Sequence, residues 1–403
     1  MPTPVRRPRL VVLSPFLDKR HGTERCVAEQ IERLSGVYEI HLYSSRVEDV
    51  NLSGITWHRV PALRGPHLFA YLWWLAANHI QRWRDAKFHG IPPDVIYSPG
   101  VNCLDADVVS VHVLFSKVRE QIAREQSGRE SGAAQHRIAS WPLRLHRRIY
   151  YRLLEALENK VYGREDIVLA AVSEKGAQDI RSRFGPEKNL SVIYHGVDSA
   201  KFNPQQRMNL RAAARTDLAL PSNAFAILFI GNDWRNRGLP CLLEAAGMLH
   251  DPNVHLLVVG TDSIAPYQQR ADQLGLAGRV HFLPPRRDVE YYYSAADAYS
   301  GPSLEDTFSL PPAEAMACGL PVITSRATGV SEIIHHNEDG LILENPADAK
   351  TLSEWLARLK SDANWRNQLG LAAAEAAARY TWAQNSVRLQ QIINLSLKLK
   401  LRT

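Results

Sequence analysis

The stretch "DTFSLPPAEAMACGLPVITS", residues 306–325, decides how the rest of the chain is read. Two prolines, Pro311 and Pro312, stand just ahead of an alanine-rich run that otherwise reads as helix, and "LPVITS" behind it reads as a buried strand. Proline is tolerated in the first turn of a helix because the N–H it lacks would be unpaired there anyway. The prolines therefore mark a helix start. With "AYSGPS" (298–303) before it, the segment reads strand, loop, helix, strand. That order is the unit of a doubly wound parallel sheet.

The same grammar extends in both directions. Upstream, "AFAILFIG" (224–231), a helix in "LPCLLEAAGML", "VHLLVVG" (254–260), a helix in "YQQRADQLGL" and "VHFLP" (280–284) precede the opening segment, and "GLILE" follows it. An earlier series begins at "RLVVLSPF". There "TERCVAEQIERL" sets Val27, Ala28, Ile31 and Leu34 on one helical face. "YEIHLYS" (38–44), "ITWHRVP" (55–61), "PDVIYSPG" (93–100), "ADVVSVHV" (106–113) and "IVLAAVSE" (167–174) continue as strands, and "KGAQDIRSRFG" as a helix closed by Gly185. The first series ends in "NLSVIYHGVDSAKFNP" (189–204), read as a strand running into a connection that bears Pro and Asn. Two α/β domains, 1–196 and 197–382, follow from this break. The segment 383–403, "AQNSVRLQQIINLSLKLKLRT", reads as an amphipathic helix that packs back on one of them.

Composition agrees with an ordinary globular protein: 403 residues, 45% apolar and 22% charged, more than one core usually supports. The four cysteines lie far apart without metal-like spacing, which suits a reducing compartment, and no run of 18 or more apolar residues is present. Leu10 to Leu13 fits a first buried strand better than a signal peptide. The cytosol is the expected location. The net charge of +6 is concentrated in "HRIASWPLRLHRRIYYRLLEALENKVYGR" (136–164), while "YLWWLAANHIQRWRDAKFHG" (71–90) sets Trp73, Trp74 and Trp83 beside basic residues. These segments suit an anionic membrane surface or a phosphorylated substrate, and equally a solvated face over ordinary core aromatics. Only charge speaks for nucleic acid, and none is expected.

Neither half carries GxGxxG or GxxxxGK[ST]. Each does carry strand-end loops opening helices, and in open α/β sheets ligands bind at the carboxyl ends of strands. At the opening stretch, the amides of Ser309, Leu310 and Ala313 and the Ser309 hydroxyl can face an anion, because a helix N-terminus carries about half a positive charge. Asp306 and Glu314 suit vicinal hydroxyls of sugars flanking that anion; a turn acid and a first-turn acid favoured by the dipole account for them equally. In "FIGNDWRNRGLPCLLEAA" (229–246), Gly231 ends a strand and Arg235 and Arg237 precede the Gly238 helix start. Two guanidinium groups there suit a diphosphate, or simply the surface. "DKRHGTERC" (18–26) offers Gly22 for close backbone approach and Thr23 at a helix start, and His112 ends the strand "DVVSVH". Asp105 and Asp107 begin that strand, at the edge away from the expected cleft, so no metal site is expected.

Together these segments resemble a retaining glycosyltransferase of the large family 4. Residues 306–314 match its acid-x7-acid motif, with Phe308 and "EAMACGLPVI" in register. "VSEKGAQDIRSRFG" and "VIYHGVDSAKFNP" resemble its inter-domain stretch, "FIGNDWRNRGL" its donor-phosphate loop, and "QLGLAGRVHFLPPRRDVEYYYSAADAYSGPS" its base-binding region. The resemblance implies a GT-B architecture, two facing Rossmann-like doubly wound domains, with the last helix packing back toward the N-terminal, acceptor-binding one. It implies a nucleotide-diphosphate sugar as donor, a glycan or lipid-linked acceptor, no cofactor and no metal. Glu314 would bind the ribose hydroxyls and Asp306, or its neighbour Glu305, those of the transferred sugar. Ser309 and Leu310 would give amides to the diphosphate, with Arg237 in the place of a usual lysine and Arg235 assisting. Gly231 and Asn232 belong to the same loop. Gly22 would approach the distal phosphate, His112 the reacting sugar, and the backbone of Phe282 and Leu283 the base. His21 and Thr23 would face the acceptor. Asp306 stands where a glutamate is usual, Asn232 where arginine is common, His21 for a glycine and His195 for an asparagine. A relative that binds donor without catalysis is therefore the second reading.

Overall fold

The alternating strands at the start of the chain sort their side chains to two faces, and both faces are covered. The structure is a computed structural model that describes residues 6–120 and 141–401. The first unit comprises the described residues up to Ile193 and from Asn385 onward. Its strands are β1 (Arg9–Leu13), β2 (Phe16–Leu17), β3 (Glu39–Ser44), β4 (Arg46–Val47), β5 (Ile55–Arg59), β6 (Val95–Pro99), β7 (Val108–Val111), β8 (Val168–Ala171) and β9 (Leu190–Val192). Seven of them form one parallel sheet in the order β5-β3-β1-β6-β7-β8-β9, and β2 pairs with β4 apart from it. Leu10 and Val12 point to one face with Val27, Ala28, Ile31 and Leu34 of the helix Gly22–Leu34. Val11 and Leu13 point to the other, with Trp74, Tyr162 and Ile180. This is the period-two alternation of a strand buried on both sides.

The second unit, Tyr194–Gln384, repeats the plan. Its strands β10 (Phe225–Ile230), β11 (Val254–Val259), β12 (Val280–Leu283), β13 (Ala298–Gly301), β14 (Val322–Ser325) and β15 (Leu341–Leu343) are parallel in the order β12-β11-β10-β13-β14-β15. Counted from the first strand of each unit, both main sheets begin with the order 3-2-1-4-5-6 of the Rossmann fold. Such sheets have a switch point, here between β1 and β6 and between β10 and β13, where successive connections leave on opposite faces.

The segment after residue 203, read from sequence as a connection, is the helix Pro204–Asp217. Asn203 caps it, its side chain accepting the Gln206 amide at 2.8 Å, and Pro204 occupies the first turn. The two residues that suggested a loop are a helix start signal. Arg207, Arg211 and Arg215, one turn apart, each donate to the carbonyls of Ala295 or Ala296 that end the helix Glu290–Ala295. The last helix, Trp382–Lys400, begins in the second unit and places Leu389, Ile392 and Ile393 in the core beside Leu10 and Val12 of the first. Each such buried side chain contributes about 2 kcal/mol. Residues 136–140 of the basic segment lie outside the described residues; Trp141–Tyr162 is a helix.

Two strand-to-helix turns carry identifiable local devices. After β1, the buried carboxylate of Asp18 accepts the backbone amides of Arg20 and His21 at 2.8 and 3.0 Å and meets the His21 ring nitrogen at 2.9 Å. Burial alone would raise this carboxyl, but the two amides and the imidazole hold it below the usual carboxylate range. After β10, Gly238 has φ +86°, and a Cβ there would fall on the carbonyl oxygen of Pro302.

Substituting Gly238→Ala imposes both a left-handed φ on a residue with a Cβ and a backbone collision. It is expected to cost more than about 2 kcal/mol in chemical denaturation, unlike the exposed control Gly275→Ala, which has the same sign of φ but open space. For Asp18 the folded pKa lies below the unfolded one, so its contribution is present above the carboxylate range and is lost as pH falls through the folded value. The thermal-melt deficit of Asp18→Ala should be full near neutrality and close as pH falls below about 4. A deficit independent of pH would show that packing, not charge, holds the turn.

Candidate functional site

The switch point of the second sheet brings two loops side by side. One follows β10 (residues 231–238) and the other follows β13 (302–309), and the two strands are hydrogen-bonded neighbours. The first loop is polar except for Trp234, which is only 1% exposed. Its indole N–H donates to the Gly231 carbonyl at 2.8 Å, and its ring stacks on Phe282 at 5.4 Å. A tryptophan used this way plugs the loop into the core and leaves the polar residues on either side at the surface. Asn232 Oδ1 accepts both the amide and the hydroxyl of Thr261 at 3.0 Å, tying the loop to the one that follows β11. Gly231, at φ +148°, lets the Arg237 side chain lie within 3.5 Å of the space a Cβ would take.

Four contacts stitch the loops together. Leu304 N–H donates to the Asn236 carbonyl at 2.7 Å, and Asn236 Nδ2 donates to the Glu305 carbonyl at 2.8 Å. Arg237 Nη1 donates to Ser309 Oγ at 3.1 Å, and the same guanidinium pairs with the carboxylate of Asp306. Of the two adjacent acids, Asp306 is therefore the one whose side chain lies on Arg237. Burial pushes the Arg237 guanidinium below its usual pKa, opposed by Tyr299 and Asp233. Arg235 has an exposed side chain, and its carbonyl accepts the Gly238 amide at 3.2 Å.

The helix Leu310–Ala317 starts from Ser309, which has φ +75° without being glycine. Such a conformation costs about 1–3 kcal/mol and persists where the surroundings over-determine it, as they do at functional sites. First-turn N–H groups have no acceptor within their own helix. Pro311 and Pro312 have none to present, so the amides of Ser309 and Leu310 are the donors left at this end. One turn in, Glu314 is 4% exposed, and Tyr293 donates its hydroxyl to Oε2 at 2.7 Å. Burial, reinforced by Glu314, pushes the Tyr293 phenol well above its usual range, so it serves as a donor throughout the physiological range. Phe308 is 2% exposed and its ring stacks on His195 at 5.0 Å, so this side chain anchors the loop from beneath.

Asp306, Phe308, Ser309, Leu310 and Glu314 thus lie in one loop and helix start, and Arg237 reaches them from the loop after β10. Gly231, Asn232 and Arg235 share that second loop, and Phe282 and Leu283 end a strand two places along the sheet. Trp234 and Tyr293 were not picked out from sequence. A tryptophan inside an otherwise polar loop was the available signal for the first; nothing in "EYYYSAAD" distinguishes Tyr293 from its neighbours.

Gly22, His21, Thr23 and His112 belong to the first unit. His21 precedes the helix Gly22–Leu34 with its ring held by Asp18, and Gly22 and Thr23 form the first turn. His112, one residue beyond β7, is buried, and burial lowers its pKa to about 4, so the imidazole is neutral in the physiological range. A chain of side chains supports it. His112 Nε2 lies 3.1 Å from Ser110 Oγ, which is 2.9 Å from the Tyr97 hydroxyl. Tyr97 donates to Gln30 Oε1 and Gln30 Nε2 donates to Asn385 Oδ1, both at 2.8 Å. The last helix thereby reaches the strand end through four hydrogen bonds. At the opposite edge, Asp105 is forked to Arg82 at 2.9 Å on both oxygens. Asp107 accepts the Ile96 amide and pairs with Lys400, both at 2.7 Å.

The family model described as Glycosyl transferases group 1 matches residues 211–376, and that described as Glycosyltransferase Family 4 matches residues 20–201. The chain is 28% identical over 239 residues to the D-inositol 3-phosphate glycosyltransferase of Thermobifida fusca (strain YX), covering 56% of this chain and 54% of that protein. It is 31% identical over 237 residues to the protein of the same name from Mycolicibacterium gilvum (strain PYR-GCK), covering 56% and 51%. The chain thus spans about half the length of these relatives. Its fold is that of WaaG, a glycosyltransferase involved in lipopolysaccharide biosynthesis, at a TM-score of 0.76 and 20% identity over 95% of this chain and 99% of that one. Anabaena Alr3699/HepE, solved in complex with UDP and glucose, has a TM-score of 0.71 at 18% identity, covering 96% and 99%. The chain belongs to the group 1, family 4 glycosyltransferases and has the GT-B fold.

Proposed function

We propose that this protein transfers a sugar from a nucleotide-diphosphate sugar to a hydroxyl of a glycan, lipid-linked or other acceptor, with retention at the anomeric carbon and without a metal. The observation that carries this is the Arg237 guanidinium held on Asp306 and Ser309 at the start of the helix Leu310–Ala317, with Glu314 one turn in. A cation, two outward amides and two carboxylates in that order match a diphosphate flanked by two sugars. Glu314, oriented by Tyr293, accepts from the ribose hydroxyls. The Phe282 and Leu283 backbone meets the base, and the Ser309 and Leu310 amides with Arg237 and Arg235 meet the diphosphate. UDP and UDP-glucose in the HepE structures are ligands of this class.

The chemistry follows from charge. As the bond to the anomeric carbon breaks, negative charge grows on the leaving phosphate, and donors fixed beforehand at that place stabilise it more than water does. The two arginines and the helix start supply this, which gives the protein the role a metal would otherwise have. A diphosphate sharing Arg237 also frees the Asp306 carboxylate to hold hydroxyls of the transferred sugar. The acceptor hydroxyl attacks on the leaving-group face and passes its proton to the departing phosphate oxygen. In the first unit, neutral His112 offers a hydrogen bond to a sugar hydroxyl, and His21 and Thr23 stand toward the acceptor. A cytoplasmic protein working at the inner face of an anionic membrane fits a lipid-linked acceptor.

A thermal-shift series with nucleoside diphosphates and their sugars tests the donor site. A ligand at a hundred times its Kd stabilises the folded form by about 2.7 kcal/mol. Arg237→Ala is expected to abolish the shift with the diphosphates. Glu314→Ala should weaken nucleotide affinity by about tenfold or more, each variant being compared with its own unliganded melt. Full turnover of an identified donor by both variants would overturn the assignment. A shift with no release of nucleoside diphosphate in the presence of acceptors would make the protein a binder of nucleotide sugars.

A further inference from the structure

The helix His67–Phe88 of the first unit is built inside out. Its buried positions are Trp74, Asn78, Arg82 and Asp85, three of them polar or charged. Their needs are met within the fold: Asn78 donates to the Trp74 carbonyl at 2.5 Å, Arg82 holds Asp105, and Asp85 accepts from the Tyr43 hydroxyl at 2.8 Å. The opposite stripe carries the helix's large exposed apolar side chains. Phe69, Leu72, Trp73, Ile80, Trp83 and Phe88 are between 42% and 63% exposed and recur at helical spacing, so they share one side. A stripe from residue 69 to 88 is about 28 Å long at 1.5 Å per residue. A run of large exposed apolar side chains over this length marks an interaction site.

Charge says what covers it. His79, Arg84 and Lys87 lie on the same exposed stripe, and the helix's one acid, Asp85, is buried beneath it. Lys87 Nζ lies 5.0 Å from the Trp83 ring and 5.6 Å from that of Phe88, so cation and aromatics form one surface. Tyr71 packs edge-to-face on Tyr150 at 6.2 Å, joining this helix to Trp141–Tyr162, whose Arg147, Arg148 and Arg152 are exposed. A partner for this face is therefore apolar at one depth and anionic at the next. A bilayer of anionic lipids has that profile, with indoles favoured at the headgroup boundary. No described helix is long and apolar enough to cross a membrane.

We infer that the helix His67–Phe88 lies flat in the surface of an anionic membrane, its Phe69-to-Phe88 stripe sunk to the acyl boundary and its cations on the lipid phosphates. This deepens the proposed function by naming the surface that meets the bilayer, and rests on that reading only for the purpose such attachment serves.

The test is co-sedimentation of the full chain with vesicles of phosphatidylcholine, alone or with phosphatidylglycerol as a minority component. Wild type should bind the anionic vesicles at low salt and detach at high salt, because exposed charge pairs are screened. Ile80→Ser/Trp83→Ser and Arg84→Glu/Lys87→Glu should each reduce binding at least about tenfold. All four side chains are exposed, so both variants should keep the wild-type melting temperature. Wild-type-like binding by both variants, or equal binding to neutral vesicles, would overturn the inference. So would a dimer in sedimentation equilibrium that Ile80→Ser/Trp83→Ser dissolves while vesicles are ignored. Nucleotide-induced thermal shifts on the same proteins report the donor site alone, so failure of either reading is seen separately.

Discussion

The candidate site depends on one close approach, the backbone of Gly238 against the carbonyl of Pro302 at the switch point of the second sheet. Any side chain at 238 would push the β10 loop away from the β13 loop. With hydrogen there instead, Asn236 reaches Leu304 and Glu305, and Arg237 reaches Asp306 and Ser309. Everything proposed for donor binding follows from that contact. The guanidinium is placed by one loop, the amides and carboxylates by the other, and neither loop carries the full set. The parallel sheet makes the approach unavoidable, because β10 and β13 are adjacent and both end on the same edge.

Buried charge is handled the same way in both units: each ion is given a partner fixed by the backbone. Asp18 is held by the turn it caps, Arg82 by Asp105, and Glu314 by Tyr293. Such groups would be costly alone, since desolvation must be offset by close hydrogen bonds. Arg237 differs in having a partner that a phosphate can replace. It pairs with Asp306, and under the proposed function an anion would compete for the cation and leave that carboxylate to accept sugar hydroxyls.

The helix His67–Phe88 breaks the usual rule for a surface helix, apolar in and polar out. Its polar side is consumed by Asn78, Arg82 and Asp85, each paired inside the first unit. Burying those groups in pairs leaves Trp73, Ile80 and Trp83 outward. The arrangement sets large apolar side chains outward beside a neighbouring helix whose exposed side is basic, the combination from which membrane attachment is inferred.

Much of the fold was legible because local periodicity reports it directly. Strands buried on both faces are short apolar runs, Pro311 and Pro312 mark a helix start and Gly185 a helix end, and the motif order in 306–325 identifies the family. The helix Pro204–Asp217 escaped because Asn203 and Pro204 serve a loop and a helix start alike, and only the register of Arg207, Arg211 and Arg215 on the Ala295 and Ala296 carbonyls resolves them. Asp306 and Glu305, adjacent in sequence, were equivalent until one was seen on Arg237. Tyr293 was one of three consecutive tyrosines, and the three tryptophans 73, 74 and 83 were alike until one of them was buried. The amino-acid sequence determined the two α/β units, their strands and the residues gathered at strand ends, since these depend on spacing along the chain. Which acid meets the arginine, which tyrosine holds Glu314 and which tryptophans face outward were decided only by tertiary structure, because hydrogen bonds and burial depend on neighbours brought from distant parts of the chain.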